Sequence, residues 1–192
     1  MASPTAARGG VLAALTGAGG RALAWLEMYR HFLVLYLDFT GYSDIAIGSG
    51  LLFGIRIPEN FRWPLVSTSI QEFWQRWHLS LGAFIGTYLF KPIVRQTGKP
   101  ALGIFLAFLF VGLWHNVSIP YLIWGFGHGA ALAITMMLRK AGAFKTTSAL
   151  AARAMQLGGW LFTISFVSFM SSFANQGSLE GPVLFIRSLI LN

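Results

Sequence analysis

Residues 113–129 read LWHNVSIPYLIWGFGHG and place two histidines in the longest charge-free region of the sequence. The wider region 101–138 contains no Asp, Glu, Lys or Arg. Because about twenty apolar residues cross a bilayer, this region is long enough for two membrane spans with a turn at 116–120. The pattern therefore predicts His115 at the turn and His128 inside the second span.

His128 is a candidate for chemistry, because an ionisable side chain inside a membrane costs free energy and usually faces the protein interior or a wet cavity. Burial among apolar residues keeps an imidazole neutral, and a neutral imidazole can accept a proton as a general base does. Gly127 and Gly129 leave little side-chain bulk beside His128, so a substrate could approach it closely. The structural alternative is a histidine that only hydrogen-bonds between helices.

The composition is that of an integral membrane protein. Of the 192 residues, 55% are hydrophobic and only 10% are charged, whereas about a quarter are charged in a soluble domain. We therefore predict an all-α, polytopic membrane helical bundle with re-entrant and interfacial helices. The formal net charge is +8, but the basic residues lie in short segments between apolar runs, which argues against nucleic-acid binding. The absence of cysteine excludes disulfides and thiolate chemistry.

Two regions are predicted along the chain, a flexible N-terminal extension over residues 1–21 and a membrane-embedded domain over residues 22–192. Residues 22–37 are apolar and aromatic and predict a helix. The segment 38–44 contains two carboxylates and a glycine, so we expect it to interrupt that helix. Ser43 or Asp44 would then cap a new helix, and the break would be buried in protein or line a cavity.

The basic segment 56–99 contains a pattern typical of an amphipathic helix at the membrane interface. Apolar and aromatic positions recur there at helical spacing, with glutamine, glutamate and arginine on the opposite side. The positions at helical spacing are Phe73, Trp74, Trp77, His78 and Leu81. We expect the tryptophans to anchor the helix at the interface or to pack in the core, rather than to stack on substrate.

The distribution of basic residues predicts a topology. A further span is expected over the uncharged residues 154–174. By the positive-inside rule, the basic segments 56–99 and 139–153 should be cytoplasmic, and the turn at 116–120 should face outward.

Five motifs in this order closely resemble the C-terminal half of the membrane-bound O-acyltransferase family. They are YLDFTGYSDIAIG at 36–48, PENF at 58–61, FWQRWHLSL at 73–81, GLWH at 112–115 and WGFGHG at 124–129. The resemblance covers about residues 36–139 and is nearest to the bacterial branch that contains alginate O-acetyltransferase and the teichoic-acid D-alanyl transfer protein. Family members place several spans before the position of Tyr36, so the resemblance implies that the N-terminal half of the family fold is absent from this chain.

The resemblance also implies which residues carry the activity. It places the family's buried invariant histidine at His128 and its second motif histidine at His78, which makes both catalytic candidates. The candidate substrate-binding residues are His115, Asn116, Trp114, Trp77 and Asp44. The basic residues Arg76 and Lys91 are candidates for binding an anionic donor.

The implied activity is the transfer of an acyl group to hydroxyls of a cell-envelope polysaccharide, as in alginate biosynthesis. Acetyl is the acyl group that we expect. The expected donor is a cytoplasmic thioester, acetyl-coenzyme A or an acyl carrier. No tightly bound cofactor is expected, and no metal, since the histidine spacings lack a metal-site pattern. We expect a multi-pass protein of the bacterial plasma membrane. Its expected partners are the lipid bilayer, the polysaccharide acceptor, and another membrane chain or accessory periplasmic acetylation proteins.

Two other hypotheses are open at this point. In a transporter or proton-relay subunit, Asp38, Asp44 and the histidines would line a pathway across the membrane. An inactive, truncated remnant of a longer acyltransferase is the other alternative.

Overall fold

The structure, a computed structural model, describes residues 20–174 and 180–190. These residues form helices and turns without any β-strand, and an isolated antiparallel bridge joins Phe61 to Trp77. The prediction of an all-α fold is therefore confirmed. The predicted N-terminal extension over 1–21 lies outside the described residues, except for its last two positions, which begin the first helix.

Eight α-helices are described. They are α1 (Gly20–Leu52), α2 (Ile70–Trp74), α3 (Leu79–Ile85), α4 (Lys91–Thr97), α5 (Pro100–His115), α6 (Ile119–Lys140), α7 (Ala149–Ser171) and α8 (Glu180–Ile190). A short 3-10 turn at Pro64–Val66 precedes α2, and a π-helical turn at Gly86–Phe90 joins α3 to α4.

The predicted interruption at 38–44 is wrong, because α1 runs through this segment without a break and no re-entrant pair is formed there. Thr40 donates its hydroxyl to the carbonyl of Tyr36 one turn earlier, a bond that is compatible with the helix. Ser43 is buried, and its hydroxyl accepts a hydrogen bond from Asn60 instead of capping a new helix. Asp38 and Asp44 lie on exposed positions of α1, where a carboxylate does not require a break in the backbone.

The helical hairpin predicted in the charge-free region is confirmed, since α5 ends at His115 and α6 begins at Ile119. α6 and α7, with 22 and 23 residues, are long and apolar enough to cross a membrane, while α5 is apolar but shorter. The two hairpin helices cross closely at Gly125. A Cβ at this position would lie 2.6 Å from the carbonyl oxygen of Phe108, so only glycine permits the crossing.

The aromatic segment 73–81 forms two short helices rather than the single amphipathic helix predicted. α2 ends at Trp74, α3 begins at Leu79, and the intervening backbone pairs with an extended segment around Phe61. In that pairing the amide of Arg62 donates to the carbonyl of Arg76 over 2.9 Å. The broken helix turns the side chain of Trp77 inward.

Trp77 is the centre of the core. Its indole stacks on Phe32 and Phe73, with ring centroids 5.8 and 5.4 Å away, and meets Phe61 edge-on at 5.0 Å. Burying the large aromatic surface of Trp77 stabilises the protein more than one further turn of interfacial helix would, which explains why the helix is broken here. The buried core residues around it are Phe32, Ile70, Phe73, Phe108, Leu132 and Val167.

Candidate functional site

A cavity of about 170 Å³ lies among α1, the junction of α2 and α3, the α5–α6 hairpin and α7. Three of the four histidines of the chain, His78, His115 and His128, line it. The remaining lining is mainly aromatic and aliphatic. It consists of Phe32, Leu35, Phe39, Phe73, Trp74, Trp77, Leu81, Tyr121, Trp124, Val167, Ser171 and Ala174. The sequence thus predicted all three histidines of this cavity.

His128 lies in α6, with its side chain only 2% exposed. Trp74 and Phe166 meet its ring edge-on, at centroid distances of 5.1 and 5.3 Å, and Trp124 lies 4.7 Å away. The indole N–H of Trp74 donates a hydrogen bond to Nδ1 of His128 over 3.2 Å. The imidazole is therefore held in one orientation by rings on several sides and by one polar contact.

The glycines beside His128 serve helix packing, contrary to the expectation that they make room for substrate. A Cβ at Gly129 would lie 2.8 Å from the carbonyl oxygen of Phe105 in α5, and one at Gly127 would collide with the sulfur of Met170 in α7. Both positions are therefore filled by neighbouring helices. His128 lines the cavity together with aromatic residues, among them Trp74 and Trp124.

His78 lies between α2 and α3, with its backbone in the left-handed region at φ 47°. This conformation is unfavourable for a residue with a Cβ. Phe39 of α1 meets the imidazole edge-on at 4.8 Å. Burial lowers the pKa of His78, and the nearby His115 lowers it further, so the ring is neutral at pH 7.

Asn60 fixes the orientation of the His78 ring. Its side-chain oxygen lies 3.3 Å from Nδ1 of His78 and also accepts the backbone amide and the hydroxyl of Ser80. Its side-chain nitrogen donates to the hydroxyl of Ser43 in α1 over 3.3 Å. The amide of Asn60 thus connects α1 with the junction that carries His78.

His115 is the last residue of α5 and lies at the hairpin turn, as predicted. Its ring stacks on Tyr121 at a centroid distance of 5.6 Å and meets Trp124 edge-on at 5.7 Å. These contacts place His115 at the turn end of the cavity.

The other predicted site residues divide into one that lines the cavity and several that do not. Trp77 lines it from the core. Trp114 and Asn116 are exposed at the hairpin turn, although the Trp114 ring lies 4.9 Å from that of His115. Asp44 is exposed on α1 and does not line the cavity, because this part of the helix presents Ser43 inward.

Neither candidate for donor binding lines the cavity. The guanidinium of Arg76 pairs with Glu72 over 2.8 Å and donates to the carbonyl of Arg62. Lys91 is exposed at the start of α4. Arg76 therefore has a structural partner, whereas Lys91 lies on the surface.

A second cavity, of about 270 Å³, shares Trp74, His78 and Leu81 with the first. Gln71 and Gln75 contribute amides to a lining that is otherwise mainly apolar. Trp74 and His78 therefore border both cavities. Over residues 20–174 and 180–190, no three His, Asp or Glu side chains converge on a position suited to a metal ion.

Comparison with known proteins assigns the chain to a family. Residues 21–172 match the membrane-bound O-acyltransferase family. The chain belongs to this family. The family resemblance predicted from the five motifs is thereby confirmed, and every histidine of the cavity lies within the matched residues.

Individual members of the membrane-bound O-acyltransferase family resemble more than half of the chain. A probable alginate O-acetylase, AlgI, of Pseudomonas syringae pv. tomato is 47% identical over 58% of this chain. A peptidoglycan O-acetyltransferase of Helicobacter pylori is 32% identical over 87% of the chain, and a teichoic acid D-alanyltransferase of Bacillus subtilis is 35% identical over 56%. The chain spans only 22%, 31% and 30% of the lengths of these three relatives, respectively.

Sequence reasoning missed the roles of Trp74 and Asn60 at this site. The aromatic pattern predicts an anchor or core role for Trp74, and Asn60 stands out only as part of the PENF motif. A buried tryptophan in a candidate catalytic segment predicts a hydrogen-bond acceptor nearby, because its indole N–H needs a partner. No comparable signal identified Asn60, which reaches His78 only through the fold.

Proposed function

We propose that this protein is a multi-pass O-acyltransferase of the bacterial plasma membrane. It transfers an acyl group from a thioester donor to hydroxyls of a cell-envelope polysaccharide, and the acyl group that we propose is acetyl. Family membership and the names of the three relatives support acyl transfer to envelope polymers. Alginate, peptidoglycan and teichoic acid differ as acceptors, but each of these relatives is named for modifying one of them.

The observation that carries the proposal is the position of His128. It is a fully buried histidine in the wall of an aromatic cavity that also contains His78 and His115. Acyl transfer from a thioester needs a proton acceptor for the hydroxyl and a hydrogen-bond donor for the carbonyl oxygen. Two imidazoles in one largely apolar cavity supply both functions from the chain's own side chains.

The surface basic residues support an anionic donor approaching from the cytoplasm. Lys91, Arg95 and Lys99 are exposed in and next to α4. Such a cluster attracts phosphate-bearing donors, acetyl-coenzyme A or an acyl carrier, through long-range electrostatics. In this proposal the acceptor polysaccharide enters at the hairpin turn near His115, on the opposite side of the membrane.

The test is complementation of a strain that lacks its own copy of the gene. We expect wild-type protein to restore base-labile acetyl groups on the envelope polysaccharide, and His128→Ala to leave them at the level of the deletion at equal protein abundance. His31→Ala is the matched control, because His31 is the histidine that does not line the cavity. Acetylation by His128→Ala would overturn the proposal, and failure of the wild type would favour the remnant hypothesis.

The structure offers no support for a transporter or proton-relay subunit. That hypothesis needs Asp38 and Asp44 on a pathway with the histidines, yet both carboxylates occupy exposed positions of α1 and neither lines either of the two cavities.

A further inference from the structure

The second cavity, of about 270 Å³, shares His78 with the first but contains neither His115 nor His128. Resting on the proposed acyl transfer, we propose that this cavity holds the hydrocarbon tail of the acyl group. The chain then transfers acyl groups of up to about ten carbons, and acetyl is the shortest group that it accepts. Two glycines and a phenylalanine in one wall of the cavity set the upper limit of length.

This wall contains a row of residues at a spacing of four. His78, Gly82, Gly86 and Phe90 all line the cavity, from the start of α3 to the end of the π-helical turn. A Cβ added at Gly82 or at Gly86 would meet no atom of a neighbouring segment within 4 Å. The cavity is therefore open beside both glycines, where any other residue would place a side chain.

Phe90 is held in place at the far end of the row. Gly103 of α5 is buried, and a Cβ there would lie 3.3 Å from the Phe90 ring. The helix α5 thus packs directly against this phenyl group. The row therefore has two open positions in its middle and a packed aromatic ring at its end.

The polar groups of the cavity come from one part of the chain. Gln71 lies in α2, and Gln75 and His78 lie in the junction between α2 and α3. The indole N–H of Trp74 already donates to His128. The other side chains of the lining are aliphatic or aromatic, namely Leu81, Ile85, Phe90, Ile104, Phe108, Val111, Leu132 and Met136.

This distribution favours an acyl tail over the arm that links a thioester to coenzyme A or to a carrier protein. That arm contains amide groups, and a buried amide without a hydrogen-bond partner costs free energy. Beyond His78, no lining side chain of α3, the π-helical turn, α5 or α6 has an N–H or O–H donor or an oxygen acceptor. A hydrocarbon tail needs no such partner, and its burial is favourable.

The volume of the cavity sets the length of the tail. An apolar cavity of about 150 Å³ in a protein core holds a benzene ring, so 270 Å³ suits a chain of about ten carbon atoms. The relatives described above are named for transferring acetyl or D-alanyl, which are smaller groups. A longer acyl group would therefore distinguish this chain from what those names say.

The polar end of the second cavity meets the first cavity. Trp74, His78 and Leu81 line both, so an acyl tail in the second cavity has its carbonyl group at their common border. In the transfer, the C–S bond of the thioester breaks and a C–O bond to the acceptor hydroxyl forms. The proton of that hydroxyl ends on the released thiol. The tail takes no part in these bonds, so its length affects binding and positioning.

The preference for donor length tests the assignment. Acetyl-, octanoyl- and hexadecanoyl-coenzyme A are compared by thiol release, with the full protein in lipid nanodiscs and the native envelope polysaccharide as acceptor. We expect octanoyl to be transferred and hexadecanoyl, which exceeds the volume, to be rejected. Gly82→Leu and Gly86→Leu each place a side chain in the cavity, so the ratio of octanoyl to acetyl transfer should fall about tenfold or more.

Gly48→Leu is the matched control for these two variants. A Cβ at Gly48 also meets nothing within 4 Å, but Gly48 lies in α1 and lines neither of the two cavities. Its ratio of octanoyl to acetyl transfer should equal that of the wild type. An unchanged ratio in both Gly82→Leu and Gly86→Leu overturns the proposal.

A variant that gains a substrate guards against poor folding as an explanation. Phe90→Ala removes the ring at the end of the row and lengthens the cavity, so transfer of dodecanoyl relative to octanoyl should rise about threefold or more. A poorly folded protein loses all donors in parallel and does not gain the longer one. A ratio that stays at the wild-type value overturns the assignment of Phe90 as the end of the cavity.

Binding separates this inference from the proposed function. S-octyl- and S-ethyl-coenzyme A are thioethers that cannot transfer their chains. In calorimetry corrected for empty nanodiscs, the octyl compound should bind at least about tenfold more tightly, because additional methylenes are buried. Gly86→Leu should remove most of this difference. If the difference holds and no acyl group is transferred, the tail site stands and the proposed function fails. If acetyl is transferred but both thioethers bind equally to the wild type, acyl transfer stands and the tail site is overturned.

Discussion

The hydroxyl of Ser80 donates to the side-chain oxygen of Asn60 over 2.6 Å, the shortest of the hydrogen bonds described for this amide. Ser80→Ala removes this bond but keeps the backbone N–H that also holds Asn60. Because one such bond contributes about 0.5–1.5 kcal/mol, we expect acetyl transfer to fall about threefold to tenfold. Steady-state rates at matched protein abundance measure the effect. Ser80→Thr keeps the hydroxyl and should recover most of the rate, and a Thr variant as slow as Ala would contradict this account.

The pH dependence of the reaction should report His78. Burial and His115 lower the pKa of His78 below its ordinary value of 6.5, so the neutral imidazole is present at neutral pH and is lost by protonation as the pH falls. We expect the acid limb of kcat/KM to have its midpoint below 6.5. Asn60→Asp places a carboxylate beside Nδ1, which favours the imidazolium and should move the limb to higher pH. A limb that does not respond to Asn60→Asp would show that another group titrates.

Two glycines in helices should respond in opposite ways to the same substitution. Gly125→Ala places a methyl group against the backbone of Phe108 and should destabilise the α5–α6 hairpin by about 1–3 kcal/mol. A Cβ at Gly48 in α1 would meet nothing within 4 Å, so Gly48→Ala should be neutral or stabilise the protein by up to about 1 kcal/mol. Thermal unfolding in detergent compares the two. Equal melting temperatures would contradict the close crossing.

The absence of cysteine makes the topology directly measurable. Val117 is 86% exposed at the hairpin turn, and Thr147 is exposed between α6 and α7. A membrane-impermeant maleimide should label Val117→Cys in intact cells, but should label Thr147→Cys only after the membrane is opened. The opposite pattern would reverse the orientation, and with it the side from which the donor enters.

The parts of the fold that could be predicted are those set by local pattern. The hairpin could be predicted from the charge-free region 101–138 with polar residues and a proline at its middle. The position of His128 within the second hairpin helix, where it is buried, could be predicted from the same region. The continuity of α1 could not be predicted in this way. The polar residues of 38–44 are compatible with either a break or a helix, and only packing decides that Ser43 faces inward and Asp44 outward.

The site could be predicted as a set of histidines, but the hydrogen bonds that orient their rings could not be predicted. Asn60 and His78 are 18 positions apart in the chain and meet because the backbone around Phe61 pairs with that around Trp77. That pairing replaces a helix which the spacing of the aromatic residues favoured. Side-chain hydrogen bonds between distant segments depend on such long-range contacts, and no local pattern contains them.

The left-handed backbone of His78 implies that this residue lowers the thermal stability of the protein while it supports activity. A residue with a Cβ in this conformation is less stable than glycine by about 1–2 kcal/mol, and such strain persists only where the surrounding structure enforces it. His78→Gly and His78→Ala lose the same imidazole, so the glycine variant should melt at the higher temperature. The vacated space in the glycine variant would also admit free imidazole from the medium. If that small molecule restored the rate, the ring of His78 would be shown to act without its covalent attachment to the chain.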